Sequence, residues 1–252
     1  MENKISELIA QKISNRIKMF AVLVDPGNTN AEKAGQIAAM AQITSPDFIL
    51  VGGSLLMADN MEACIAAIRN NCDIPIVIFP GSTMQVSSLA DAILFLSLIS
   101  GRNAEMLIGN HVIAAPMLRN SGIEVIPTGY LLIESGKLTS AHYMSNTTPI
   151  PRGKDDIAVC TAVAGEMLGL QAIYMDAGSG AENPVTGSMI SNVKANISVP
   201  LFVGGGIRTP DRAALACESG ADIVVAGNIF EKSPSLMKEM ISAIQTLNMN
   251  KG

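Results

Sequence analysis

The chain has 252 residues, of which 48% are hydrophobic and 15% are charged. Because α/β barrels commonly occupy about 250 residues as one unit, this length fits a single large domain. The 17 basic and 22 acidic residues give a formal net charge of −5, which leaves no basic field for nucleic acid or an anionic membrane surface. We therefore expect no nucleic-acid partner.

The N-terminal segment has a helical pattern and not that of a signal peptide, since it lacks a long apolar core and a cleavage site. One face of this helix carries Ile5, Leu8, Ile9, Ile13 and Ile17. The longest apolar stretch, residues 92–99, is far below the ~20 residues of a membrane-spanning helix. The four cysteines show no spacing typical of zinc or of disulfides. These features predict a cytoplasmic protein without a transmembrane segment.

Short apolar runs alternate with segments of helical period along the whole chain. Eight runs predict strands at residues 20–24, 48–51, 75–79, 92–96, 124–127, 172–175, 200–203 and 223–226. Helices are predicted at residues 30–42, 60–70, 104–120, 155–168, 186–196, 210–219 and 234–247. Near-continuously apolar strands that alternate with helices are typical of a parallel sheet. We therefore expect an α/β fold, a single (β/α)8 TIM barrel over residues 1–252, rather than an open doubly wound sheet.

Two of the units depart from this regular alternation. Residues 81–91 are too few and too rich in Ser for a full helix, so the third βα unit should be irregular. Residues 134–154 form a long polar segment on the strand-end face, and loops of this length in compact domains are usually functional or mobile. Within it, His142 beside Tyr143 could line a substrate cover, although a structural histidine is the simpler interpretation.

Glycine follows most of the predicted strands, at the face where TIM barrels place their active sites. The strongest signal is the pair FVGGGIR and VAGN, with Gly204, Gly205 and Gly206 after the seventh strand and Gly227 and Asn228 after the eighth. Glycines at such positions leave backbone N–H groups free to bind an anion. We interpret the pair as a phosphate site, the alternative being that these glycines only form tight turns.

The ionisable residues at the strand ends limit the chemistry. No Lys ends a strand, so Schiff-base chemistry has no candidate amine, and no His, Asp and Glu cluster has transition-metal spacing. Asp25 and Asp176 each follow a strand, with Ser54 and Tyr130 at the ends of other strands. A carboxylate with hydroxyl partners suits Mg²⁺, but Asp25 could equally cap the helix that follows it.

The motifs VDPGN, VGGS, IPTGY, PIPRGKDDIA, YMDAGSGAENPV, VGGGIRTPD and VAGN resemble the geranylgeranylglyceryl phosphate synthase family in order and spacing. The resemblance runs from residue 20 to about residue 232. Two departures exist: the family pattern has Glu at the position of Asp176, and VDPGN lacks the Lys that many members carry near Asp25. In the second respect the chain is similar to the group without that Lys.

The resemblance implies a Mg²⁺-dependent prenyltransferase that joins geranylgeranyl diphosphate to the 3-hydroxyl of sn-glycerol 1-phosphate and releases diphosphate. The product would be a precursor of membrane ether lipids. Mg²⁺ would be held at Asp25 and Ser54, and Asp176 with Tyr174 would be catalytic. Glycerol phosphate would lie along Tyr174, Met175, Asp176, Ala177, Gly178, Ser179 and Gly180, with its phosphate at Gly204, Gly205, Gly206, Gly227 and Asn228. Apolar side chains at the same face, which could hold the prenyl chain or simply pack the core, are Phe79, Leu96, Leu98 and Ile99.

Other interpretations remain open at this point. The prenyl diphosphate could be longer than geranylgeranyl, because only the depth of an apolar groove distinguishes the two. A phosphate-binding TIM-barrel isomerase would share the GGGIR and GN pair, and so would a non-catalytic phosphate- or lipid-binding barrel. An exposed apolar helix face on so hydrophobic a barrel also predicts a homo-oligomer.

Overall fold

A computed structural model describes residues 4–53, 60–227, 229–230, 233 and 235–249. Eight parallel strands close into a barrel in sequence order, with β8 pairing with β1. They are β1 (Met19–Val24), β2 (Phe48–Val51), β3 (Ile76–Ile78), β4 (Ala92–Ser97), β5 (Glu124–Leu132), β6 (Ala172–Asp176), β7 (Leu201–Gly204) and β8 (Ile223–Ala226). The predicted (β/α)8 barrel is therefore confirmed.

Helices surround the barrel, and the N-terminal segment forms the first of them. They are α1 (Lys4–Ser14), α2 (Ala31–Thr44), α3 (Met61–Arg69), α4 (Asn110–Ser121), α5 (Ser140–Ser145), α6 (Asp155–Met167), α7 (Gly187–Lys194), α8 (Pro210–Glu218) and α9 (Ser235–Met249). A π-helical segment, Glu105–Gly109, leads directly into α4. Within the described part of the chain, no helix has the length and apolarity that crossing a membrane requires.

Alternation along each strand divides the core into two parts. On β6, Ile173 and Met175 pack outward against the helices, whereas Tyr174 belongs to the cluster inside the barrel. Phe48 and Leu50 of β2 lie in the same inner cluster. Because side chains alternate with period two, Asp176 follows Tyr174 on the inward side, at the carboxyl end of the barrel.

Strand β5 is longer than the sequence predicted. The prediction ended it at residue 127, but the strand continues to Leu132. It pairs with β4 up to Gly129 and with β6 up to Leu132, which lies opposite Asp176. Tyr130 therefore lies within a strand and points into the barrel interior instead of following the strand end.

The two irregular segments behave as their sequences suggest. No helix lies between β3 and β4, where every residue is described, so the irregular third unit is confirmed. The long polar segment contains the short helix α5, and a bridge between Ile133 and Ile150 closes it.

Carboxylates stabilise the opposite, amino-terminal end of the barrel. Three aspartates lie just before β2, β4 and β8, and each accepts a backbone N–H from the neighbouring strand. Asp47 accepts from Phe20, Asp91 from Ile76 and Asp222 from Leu201. Each also pairs with a cation, namely Lys12, Arg69 and Lys194 respectively. In TIM barrels this end generally serves stability, so the chemistry is expected at the other end.

Glu124, at the start of β5, anchors helix α1 across that end of the barrel. Its buried carboxylate accepts the backbone N–H groups of Ile5 at 2.7 Å and Ser6 at 2.9 Å. These are unpaired donors of the helix start, where a negative charge is also favoured. Replacing Glu124 by Gln should lower the free energy of unfolding by about 2 kcal/mol, because one acceptor becomes a donor facing N–H groups. Urea unfolding measures this, with exposed Glu239→Gln as the control that should change little.

Candidate active site

A cavity of about 420 Å³ opens at the carboxyl ends of the strands. It is lined by the glycine-rich turns after β6, β7 and β8 and by the end of β1. Its polar lining includes Asp25, Tyr130, Tyr174, Asp176, Ser179 and Arg208. Most of the residues predicted from the strand ends are therefore brought together.

Asp176 is fixed at the base of this cavity with only 7% of its surface exposed. Its Oδ2 accepts the hydroxyl of Tyr130 at 2.7 Å, and its Oδ1 accepts the N–H of Gly178 at 2.7 Å. Burial raises the pKa of Asp176, and the two hydrogen bonds oppose part of that rise. The result is an oriented carboxylate of increased basicity, as a proton acceptor requires.

Tyr174 lies in an aromatic stack beneath Asp176. Its ring is 4.8 Å from that of Phe79 and 5.8 Å from that of Phe202, both in stacked geometry. Burial, followed by the negative charge of Asp176, raises the pKa of Tyr174 well above 10. The hydroxyl therefore stays protonated and can act as a donor, but not as a base at neutral pH.

Asp25 also lines the cavity, at the end of β1. Its Oδ1 accepts the N–H of Gly27 at 2.9 Å and its Oδ2 accepts the side-chain amide of Asn28 at 2.9 Å. A Cβ at Gly53 would lie 2.3 Å from Oδ1 of Asp25, so only glycine lets the carboxylate come this close to the end of β2. Burial raises the pKa of Asp25. The carboxylate folds back on its own turn and does not cap α2, where Asn30 accepts the N–H of Lys33.

The turn after β7 presents backbone N–H groups to the cavity. Gly205 and Gly206 have φ angles of 80° and 71°, a conformation that glycine adopts readily. A Cβ at Gly205 would lie 2.5 Å from Oδ1 of Asp176. Among the described residues, no acceptor takes the N–H of Gly205, Gly206 or Gly227. Consecutive free N–H groups of this kind form an anion-binding concavity.

Sequence reasoning missed the arginines that surround these turns. Arg208 donates from Nη2 to the carbonyl oxygens of Gly180 and Ala181, and Arg212 donates from Nη1 to that of Gly206. Their signal was the motif GGGIRTPDR, in which only the glycines were interpreted.

Not every predicted substrate contact lines the cavity. The side chains of Met175 and Ala177 pack in the outer core, so only their backbone could reach a ligand. Gly178, Ser179 and Gly180 border the cavity directly, and Gly204 lies behind it, where a Cβ would meet the hydroxyl of Tyr174. Two predicted residues, Ser54 and Asn228, lie outside the described residues.

An apolar groove of about 210 Å³ adjoins the cavity between β3, β4 and α4. Gly53, Phe79 and Tyr130 border both spaces, which makes them continuous. Three of the four side chains predicted to hold an apolar chain, Phe79, Leu96 and Leu98, line the groove. The fourth, Ile99, packs against the outer core.

Helix α5 forms one wall of the groove through Ala141, Met144 and Ser145. His142 itself is buried and accepts the N–H of Thr139 at 3.2 Å, so it caps the helix instead of covering a substrate. Tyr143 is 85% exposed and lines neither space. The structure thus gives His142 the structural role.

The fold and the site together define a TIM-barrel protein of the kind that binds phosphorylated ligands at glycine-rich strand ends, here with an apolar groove beside them. The PcrB family matches residues 11–247. The chain belongs to this family.

Several relatives of the chain share one name. A geranylgeranylglyceryl phosphate synthase of Chitinophaga pinensis is 52% identical and covers 97% of both chains. One of Thermococcus kodakarensis is 41% identical over 93% of this chain and 92% of its own. The crystal structure of (S)-3-O-geranylgeranylglyceryl phosphate synthase from Thermoplasma acidophilum in complex with substrate sn-glycerol-1-phosphate has a TM-score of 0.91 and 33% identity. The match covers 96% of this chain and 98% of that one. The resemblance seen in the motifs is therefore confirmed.

Proposed function

We propose that this protein is a prenyltransferase that joins geranylgeranyl diphosphate to the 3-hydroxyl of sn-glycerol 1-phosphate, with release of diphosphate. The relatives named above and the Thermoplasma complex support this activity. The product is an ether phospholipid precursor.

The observation that carries the proposal is the continuity of two unlike spaces. The polar cavity presents glycine N–H groups suited to a phosphate, and the apolar groove suits a hydrocarbon chain. They meet at Phe79 and Tyr130, and Tyr130 hydrogen bonds to Asp176. A hydroxyl on the ligand in the cavity and the first carbon of a chain in the groove would therefore meet beside Asp176.

The reaction exchanges one bond to carbon for another. The C1–O bond to diphosphate breaks, the glycerol oxygen bonds to C1, and the hydroxyl proton moves to the carboxylate of Asp176. The protonated Tyr130 and the N–H of Gly178 hold that carboxylate in place. Apolar walls around the groove keep water away from C1, so that the alcohol is alkylated instead of water.

The residues at the end of β1 fit a hard cation. The carboxylate of Asp25 lines the cavity and lies against Gly53, which also borders it. Mg²⁺ is usually held by one or two carboxylates together with substrate phosphates. We propose that Asp25 holds it, with Ser54 as a further candidate ligand. When bound, the ion would neutralise charge on the departing diphosphate.

A direct assay tests the proposed function. The protein is incubated with sn-glycerol 1-phosphate, labelled geranylgeranyl diphosphate and Mg²⁺, and the label is followed into an organic-extractable phosphate. Boiled protein and omission of glycerol phosphate are the controls. If no label moves, the proposed activity is wrong.

The depth of the groove should set the chain length of the donor. Ala114 of α4 borders the groove, and a phenylalanine there would fill space that the chain needs. Ala114→Phe should lower kcat/KM for geranylgeranyl diphosphate at least about tenfold while sparing geranyl diphosphate, since overpacking costs ~1–3 kcal/mol. Ala115→Phe, on the exposed side of the same helix, is the matched control. A ladder of prenyl diphosphates also decides whether longer chains are preferred.

We propose further that the protein is cytoplasmic and self-associates. Exposed apolar side chains on α4 and the π-helical segment support association: Ile108, Val112, Ile113 and Met117. Burial of such a patch between copies would stabilise a homo-oligomer. Light scattering on the intact chain measures its mass, and a monomer at micromolar concentration would contradict the second part.

A further inference from the structure

We propose that Arg208 binds the phosphate group of the acceptor substrate, as the cationic side chain of the glycine-rich cavity. This assignment deepens the proposed function and rests on it. It adds a side-chain cation to the glycine N–H groups that the sequence predicts for the phosphate site.

The charges of the protein groups around the cavity favour a cationic side chain beside the phosphate. Two carboxylates, those of Asp25 and Asp176, face the space that a glycerol phosphate would enter. A phosphate monoester carries about −1.5 to −2 charges at neutral pH, so the carboxylates repel it. Among the described residues that line the cavity, Arg208 is the only one with a positive charge.

The geometry of Arg208 suits this role. Its Nη2 donates to the carbonyl oxygens of Gly180 at 3.2 Å and Ala181 at 2.7 Å, which holds the guanidinium across the turn after β6. Among the described residues, no acceptor takes the N–H groups of Nε and Nη1 of Arg208. The edge of the planar guanidinium that carries these two atoms is therefore available to a ligand. A fixed guanidinium can bind phosphate through two parallel hydrogen bonds. Gly205 and Gly206 present their free N–H groups to the same cavity.

Arg212 has a different task, although it lies only four residues further along. It does not line the cavity, and its Nη1 donates to the carbonyl oxygen of Gly206 at 2.8 Å. A cation in the first turn of helix α8 is unfavourable for the helix dipole. Its contact with Gly206 explains its position: it holds the turn whose N–H groups face the ligand.

The experiment measures binding without turnover. Isothermal titration calorimetry with sn-glycerol 1-phosphate, and separately with inorganic phosphate, compares the wild-type protein with Arg208→Gln and Arg208→Lys. Loss of the charged hydrogen bonds should weaken both ligands roughly ten- to hundredfold in Arg208→Gln. Arg208→Lys, which keeps the charge but not the fork, should lie between. Exposed Arg119→Gln on α4 makes the same change of net charge and should bind as the wild type does.

A pH series separates phosphate binding from a merely structural role. From about pH 5.5 to about pH 7.5 the phosphate monoester loses its second proton, so wild-type affinity should rise. Arg208→Gln should lose most of that rise in affinity. Asp25 and Asp176 face the ligand in both proteins, so their effect on the pH dependence is common to both. Thermal unfolding verifies that the variant is folded.

The possible outcomes distinguish the two proposals. Equal affinities of Arg208→Gln and Arg119→Gln would overturn the assignment of Arg208. Binding of inorganic phosphate but not of sn-glycerol 1-phosphate by the wild type would overturn the proposed acceptor, and the phosphate titration would still test Arg208. Absence of binding by both ligands would overturn both.

Discussion

Asp176→Asn is expected to lower kcat by about 10² to 10⁴, the usual contribution of a positioned proton acceptor. The amide keeps the size of the carboxylate but cannot take the hydroxyl proton at neutral pH. The KM for each substrate should change much less, because phosphate and prenyl chain are bound elsewhere. Steady-state kinetics with both substrates measures the effects on kcat and KM separately. A kcat within threefold of the wild type would exclude Asp176 as the base.

The pH profile of kcat gives an independent reading. Burial raises the pKa of Asp176, so activity should be lost, as the pH falls, at a higher pH than an ordinary Asp would give. The hydroxyl of Tyr130 lowers that pKa, hence Tyr130→Phe should move the acidic limb to still higher pH. The exposed Tyr143→Phe is the control and should leave the profile in place.

The same burial makes the carboxylate a cost to folding. Because the pKa of Asp176 is higher in the native state than in the unfolded chain, the native state binds the proton more tightly. The free energy of unfolding should therefore fall as the pH rises from the ordinary pKa of Asp through the raised pKa of Asp176. Asp176→Asn is then expected to be at least as stable as the wild type at neutral pH, which guards the kinetic result against misfolding.

The sequence predicts those features of the fold and the site that depend on residues close together in the chain. Apolar runs locate all eight strands, because a parallel strand covered on both faces needs little else. The pairing of Tyr130 with Asp176 is not local: the residues are 46 positions apart, and only the register of β5 with β6 brings them together. The predicted strand ended at Pro127, three residues before Tyr130. Arg208 was missed for another reason, because a side chain beyond a glycine turn has no periodicity to indicate its direction.

The apolar groove illustrates the same limit. Phe79, Leu96 and Leu98 could be selected as apolar residues at strand ends. Ile99 gives the same sequence signal, but its side chain packs outward. The other wall comes from α4 and the π-helical segment before it, including Met106, Asn110 and Ala114. A π-helical turn changes which residues face inward, and nothing in the helical period of residues 104–120 shows it.

Asp25→Ala should abolish the dependence on Mg²⁺ and lower turnover roughly 10³-fold. Neutralising the leaving diphosphate is worth several kcal/mol, and each 1.36 kcal/mol is a factor of ten in rate. Thermal unfolding should change little, because the lost hydrogen bonds from Gly27 and Asn28 are offset by removal of a partly buried charge. Asp25→Asn should behave similarly in turnover, since the amide keeps the shape but not the charge.

The carboxylate of Asp25 is also expected to set metal affinity directly. Calorimetric titration with Mg²⁺ in the presence of inorganic diphosphate should show binding to the wild type and at least tenfold weaker binding to both variants. Asp73 is an exposed carboxylate far from the cavity. Asp73→Asn makes the same change of net charge and should leave Mg²⁺ affinity and turnover unaltered. Full activity and unchanged Mg²⁺ dependence in Asp25→Ala would show that the cation is held elsewhere.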